Sequence, residues 1–211
     1  VRASELIDPA ALQHLEAVVA EAERETGGEI VVAVVRACDE YGAVGWRLGV
    51  ALAALVFLGL GWLVPPLPWT AYLAAQAAAL ALGHGVARLE AVRRALLPPA
   101  LVERRVAERA RRCFAEEGLR RTRGRTGILL FVALLERRVV VLADEGIHRV
   151  LDPDESWQQV VDLAVAGLRE GRAVEGLEAA VRRCGEILAR HLPAAERNPN
   201  ELPNRLVVLE D

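Results

Sequence analysis

Glu29, Asp144 and Glu145 are carboxylates suited to metal chemistry, and Arg121, Arg123 and Arg125 are cations spaced to hold an anion. Hard divalent cations such as Ca²⁺ and Mg²⁺ take oxygen ligands from carboxylates and backbone carbonyls. Guanidinium groups meet phosphate through paired hydrogen bonds, and Thr126 adds a hydroxyl to that anion set. Brought together, the two sets describe metal-assisted hydrolysis of a phosphate ester. The plainer reading makes Asp144-Glu145-Gly146 a turn whose charges pair with the arginines on a wet face. A catalytic role falls to no residue on this basis.

Other chemistry fits less well. All 26 basic residues other than histidine are arginines, so lysine nucleophiles and a P-loop lysine are excluded. Ser4 and Ser156 are the only serines, and Ser156 falls just inside a helix expected to be capped by Asp152, without a nucleophile's sharp turn. His14, His148 and His191 lack metal-ligand spacing. His148, four residues beyond Asp144, is within reach of that carboxylate as an acid or base, or is a plain loop histidine. Cys38, Cys113 and Cys184 are far apart and odd in number, which suits a reducing compartment and no metal knuckle. With a net charge of −3 and no aromatics within residues 120–125, the arginine run does not describe a nucleic-acid site.

The elements that position these residues follow from periodicity. Asp8 and Pro9 begin a helix with Leu12, Leu15, Val18, Val19 and Ala22 as its apolar stripe, and Gly27-Gly28 ends it. Residues 29–35 are a continuous apolar run, the pattern of a buried strand. A second helix from Pro99 carries Val102, Val106, Ala110, Cys113 and Phe114 on one line. Residues 127–135 and 138–143 read as two strands joined at Glu136-Arg137. Helices follow over 153–170 and 173–191, and residues 206–209 suit an edge strand or a docked coil.

A crossover makes the first two strands parallel, and the tight turn makes the third antiparallel. Glu29, Arg125, Thr126, Asp144 and Glu145 are therefore expected at one sheet edge, where the helix after Asp152 also points its N-terminus. Alternation along an extended segment places Arg121, Arg123 and Arg125 on one face.

Between Leu48 and Ala87 there is no Asp, Glu or Arg. Two apolar runs, residues 45–64 and 69–89, flank Pro65-Pro66-Leu67-Pro68. Each is about 20 residues, enough for the roughly 30 Å hydrocarbon core of a bilayer. Trp62 and Trp69 flank the turn, as interfacial aromatics do, and Gly45 and Gly49 are spaced for close helix contact. The pair reads as a transmembrane hairpin, with a buried hairpin in a soluble core as the alternative. Arg47, Arg88, Arg93 and Arg94 at its open end place the rest of the chain in the cytoplasm by the positive-inside rule. Residues 1–5 carry no apolar stretch of a cleaved signal peptide.

The expected fold class is α/β: a three-layer α/β/α domain with a mixed sheet, interrupted by a two-helix transmembrane hairpin. Residues 1–44 and 90–211 form one discontinuous domain and residues 45–89 the hairpin.

Thr26-Gly27-Gly28-Glu29 entering a strand, Thr126-Gly127-Ile128-Leu129-Leu130, and Val141-Leu142-Ala143-Asp144-Glu145-Gly146-Ile147 resemble the TPM domain family. Leu168-Arg169-Glu170-Gly171 followed by Glu175-Gly176-Leu177 adds to the likeness. Residues 121–127 and 197–203 are similar to a bacterial, membrane-anchored subgroup. The family includes plant thylakoid-lumen proteins linked to photosystem II repair and an animal acetylcholine-receptor modulator. The resemblance implies the same α/β fold, with acid phosphatase activity and divalent-metal binding associated with some members. The expectation is a membrane-anchored, non-catalytic accessory module of a membrane complex. The alternative is a metal-dependent phosphatase using the Asp144/Glu145 edge, with Ca²⁺ or Mg²⁺ as the candidate cofactor. Its expected partners are the lipid bilayer and another integral membrane protein, with no nucleic acid. The expected residence is the inner membrane, multi-pass.

Overall fold

The computed structural model describes residues 9–63, 67–152, 156–194 and 201–209. The chain divides into two compact units, Val1–Cys38 with Arg104–Asp211, and Asp39–Glu103.

In the first unit, helix α1 (Pro9–Arg24) buries Leu15, Val18 and Val19, as its stripe requires; the Asp8 cap lies outside the described residues. Strand β1 (Glu29–Val35) follows, buried at every position. So is β2 (Gly127–Ala133), and the two pair in parallel from Glu29↔Gly127 to Val35↔Ala133. A strand covered on both faces loses the in–out alternation of a half-exposed one, hence the continuous apolar runs. Strand β3 (Arg138–Ala143) returns antiparallel to β2 after a turn in which Arg137 takes φ 53°. Strand β4 (Val207–Leu209) adds in parallel to the other side of β1, giving the mixed order β3-β2-β1-β4.

One core cluster joins Ile30, Val32 and Val34 of β1 with Ile128, Leu130 and Val132 of β2. Onto them pack α1, α7 (Gln158–Arg169) and α8 (Ala173–His191), through Leu15, Val160, Leu177, Val181 and Leu188 among others. Each fully buried aliphatic contributes about 1.5–3 kcal/mol. Helices α7 and α8 meet at glycines: a Cβ on Gly167 would lie 2.5 Å from the Gly176 Cα.

Helix α5 (Pro99–Glu116) buries the expected Val106, Ala110, Cys113 and Phe114. Its polar side carries exposed pairs such as Arg112–Glu116 at 2.8 Å. A 3₁₀ turn, Leu119–Arg121, comes before β2.

Two local expectations fail. The helix expected to start at Pro153 starts at Gln158, whose N–H donates to the Ser156 hydroxyl at 3.1 Å. Its proposed first residues, 153–155, lie outside the described residues. Asp144-Glu145-Gly146 is not merely a turn, because it opens a six-residue helix, α6 (Glu145–Val150).

The second unit is built on α2 (Gly42–Leu63) and α3 (Trp69–Val86), with a short α4 (Glu90–Leu96) after them. Gly45 packs on His84, Gly49 on Gly83 and Phe57 on Tyr72, so α2 and α3 run antiparallel. The close approach is steric, since a Cβ on Gly83 would lie 2.5 Å from the Gly49 Cα. Trp46, Leu55, Phe57, Leu58, Trp62 and Leu73 are exposed.

Among the described residues, one helix is long and apolar enough to cross a membrane: Gly42–Trp62, with a mean hydropathy of 1.9. Of the two helices of the expected transmembrane hairpin, α2 therefore meets that measure of length and hydropathy. Helix α3 has 18 residues, is rich in alanine, and carries Gln76 and His84.

Candidate functional site

The candidate site is the sheet edge where β1 and β2 begin and β3 ends. Glu29 sits opposite Gly127, and the Asp144 N–H donates to the Gly127 carbonyl at 2.9 Å. The chain enters this edge through a tightly bonded bend. The Thr122 hydroxyl accepts the Thr126 N–H at 3.0 Å, and the Thr126 hydroxyl donates to the Gly27 carbonyl at 2.8 Å. Arg125 takes the left-handed φ of 53°, and its carbonyl accepts the Gly146 N–H at 2.9 Å. Only glycine fits at 146, where a Cβ would collide with the Gly124 and Arg125 carbonyls.

Each carboxylate of the expected metal set is engaged differently. The Asp144 Oδ1 accepts the Glu145 N–H at 2.8 Å and caps α6, while its Oδ2 lies 3.8 Å from the Arg125 Nε. Glu145, on the exposed side, meets Arg125 at 2.6 Å and Arg149 at 3.1 Å. Those two guanidiniums, Arg149 first, hold its carboxyl below the usual range. Glu29 is buried, and its two oxygens accept the N–H groups of Glu201 at 3.0 Å and Leu202 at 3.3 Å. Burial raises its pKa against those two bonds.

At this edge neighbouring Cα positions carry side chains turned to different tasks: Asp144 caps α6, Glu145 pairs with arginines and Glu29 holds a backbone segment. Among the described residues, no three His, Cys, Asp or Glu side chains are grouped to hold a metal ion.

The alternation expected of the three arginines is not what the structure has. The segment is not extended, since Arg121 closes the 3₁₀ turn and Arg125 is left-handed, so alternation does not align the three. Arg125 alone reaches Asp144 and Glu145. Arg123 is exposed, and its N–H donates to the Glu201 Oε2 at 3.0 Å. The helix whose N-terminus marks this edge is α6, not the one after Asp152. His148 instead lines a cleft of about 680 Å³ with Val139, Val141, Asp152, Ser156 and Trp157.

Sequence reasoning missed the acidic residues that hold the C-terminal segment: Glu16, Glu23 and Glu201. Glu23 did leave a signal, since it lies four residues after Val19 on the buried side of α1. Burial pushes its pKa up to about 8.

Residues 94–187 match the TPM domain family. The chain is also similar in structure to the BA42 protein of the psychrophilic bacterium Bizionia argentinensis, solved by NMR. The two are 17% identical with a TM-score of 0.60, over 98% of this chain and 97% of that one. That likeness concerns the fold alone. No curated protein matches the chain by sequence.

Proposed function

We propose that this chain, whose residues 94–187 match the TPM domain family, is a membrane-anchored, non-catalytic binding module, an accessory to another integral membrane protein. The observation carrying this reading is that the carboxylates of the sheet edge are each engaged within the chain, although the buried Asp144 Oδ2 makes no hydrogen bond and meets only the Arg125 Nε at 3.8 Å. Asp144 caps a helix, Glu29 holds a backbone segment, and Arg125 lies on Glu145. A hydrolytic centre needs groups left available to substrate or metal. Helix α2, with a broad exposed apolar surface, supports the membrane half of the proposal, and α3 would complete a multi-pass hairpin beside it. Arginines flanking that apolar stretch favour a cytoplasmic placement of the sheet-bearing unit. Carbonate extraction tests the anchor, and release of the chain into the supernatant would end this reading. Chemical crosslinking in native membranes tests the partner, and a strictly solitary protein there would count against an accessory role.

A second reading, a metal-dependent phosphatase, is favoured by the register that puts Glu29 and Asp144 on either side of Gly127. Phosphomonoester turnover with and without Mg²⁺ or Ca²⁺, repeated on Asp144→Asn, separates the two readings. Metal-dependent turnover lost in that variant would establish the enzyme. Turnover unchanged by the substitution would remove Asp144 from it.

A further inference from the structure

Residues 201–209 run beside β1, and carboxylates hold much of their backbone. The Glu29 oxygens accept the N–H groups of Glu201 and Leu202, at 3.0 and 3.3 Å. Glu16 Oε1 accepts that of Leu206 at 3.2 Å, and Glu23 shares a side-chain hydrogen bond with Asn204. Three acidic residues on two consecutive elements, α1 and β1, thus grip one segment. Other attachments include the short β4 pairing with Ala33–Val35, the Arg36 N–H on the Leu209 carbonyl at 3.0 Å, the burial of Leu206 and Val207, the Arg205–Glu117 pair at 3.2 Å, and the Glu201 carboxylate on the Arg123 N–H.

We propose that residues 201–209 are a latch governed by the proton on Glu23, closed while that carboxyl is neutral and released when it ionises. Release bares the edge of β1, the Glu29 carboxylate and the Arg123 N–H. The proposal does not depend on the binding role argued above.

The cause is like charge held away from water. Glu23 is 8% exposed, and its Oε1 accepts the Ile30 N–H at 2.6 Å. Facing it are Glu29 from β1, the Cys184 thiol from α8 and Asn204 from the latch itself. Burial, with the Glu29 charge adding to it, pushes Glu23 up from 4.5 to about 8 despite the Ile30 and Asn204 hydrogen bonds. Burial raises Glu29 and Cys184 as well. Water reaching Glu23 in the open form returns it toward 4.5, so the closed form holds the extra proton. The closed-to-open ratio is then highest below about 4.5 and falls, by at most about tenfold per pH unit, as pH rises towards 8.

Hydrogen exchange of the full chain in detergent micelles tests this between pH 6 and 9, with rates normalised to intrinsic exchange. Protection of residues 201–209 should fall at least tenfold, while residues 127–133 of β2 keep theirs. Glu23→Gln, which keeps an amide in place of the neutral carboxyl, should hold the latch closed across the whole range. Latch protection independent of pH in the wild type would overturn the proposal. So would loss of protection in step with β2, or an equal fall in Glu23→Gln. The wild-type comparison of the two segments decides the matter even if that variant fails to fold.

Discussion

Asp144 Oδ1 accepts the Glu145 N–H at 2.8 Å, so a residue read from sequence as a metal ligand is the N-cap of a helix. Removing an N-cap side chain costs about 0.5–2 kcal/mol, while asparagine caps about as well as aspartate. Asp144→Ala should therefore destabilise the chain by about 1 kcal/mol and Asp144→Asn by a few tenths, in denaturant titrations in detergent. Equal losses would show that the charge facing Arg125, rather than the cap, is what Asp144 supplies.

The titration of Glu145 should report its two arginines separately. Arg149 leads in holding its pKa down, with Arg125 also contributing. A depressed carboxylate pKa stabilises the fold above the unfolded value and loses that effect as pH falls through the folded one. Arg149→Ala should thus move the Glu145 midpoint upward more than Arg125→Ala does, read by carbon NMR of the carboxyl. The reverse order would show that the 2.6 Å Arg125 pair dominates.

The α2–α3 crossing depends on the absence of a side chain at Gly83. A Cβ there would fall 2.5 Å from the Gly49 Cα and 2.6 Å from its N, and backbone cannot yield as a flexible side chain can. Overpacking of this kind costs about 1–3 kcal/mol. Gly83→Val should lower the midpoint for unfolding of the hairpin in detergent. Gly61→Ala, with nothing within 4 Å of its Cβ, should not lower it. An unchanged Gly83→Val would mean that the helices associate without this contact.

The sheet was legible because its strands declare themselves. Residues 29–35 and 127–133 are apolar throughout since both faces are covered, and the short turn at Arg137 dictates the antiparallel return. From that topology alone Glu29, Thr126 and Asp144 fall at one edge, as observed. What each side chain does there was not legible. A carboxylate that caps a helix, one that grips a distant backbone, and one that binds metal are the same letters. The distinction lies in contacts such as Glu29 to Leu202, 173 residues apart, which no local pattern carries. The arginine run misled for a related reason. Its alternation presumed an extended segment, whereas Thr122 and Thr126 bond the backbone into a bend.

That bend leaves a sharp question about anions. Arg123 offers its N–H to Glu201, a carboxylate of the same chain, and Arg125 is half-exposed beside Glu145. An oxyanion of higher charge, bound by the arginines expected from sequence, Arg121, Arg123 and Arg125, would compete with Glu201 for that N–H. Such binding stabilises the fold by an amount that grows with the logarithm of ligand concentration, about 1.4 kcal/mol for each tenfold above the dissociation constant. Exposed ion pairing alone is worth only about 0–1 kcal/mol and responds to ionic strength, not to the identity of the anion. Phosphate or sulfate should therefore raise the thermal midpoint more than chloride at matched ionic strength. Arg123→Ala and Arg125→Ala should remove the excess, while Arg104→Ala, paired with Glu108 on α5, should keep it. An equal response to all three anions would leave these arginines as surface charges and nothing more.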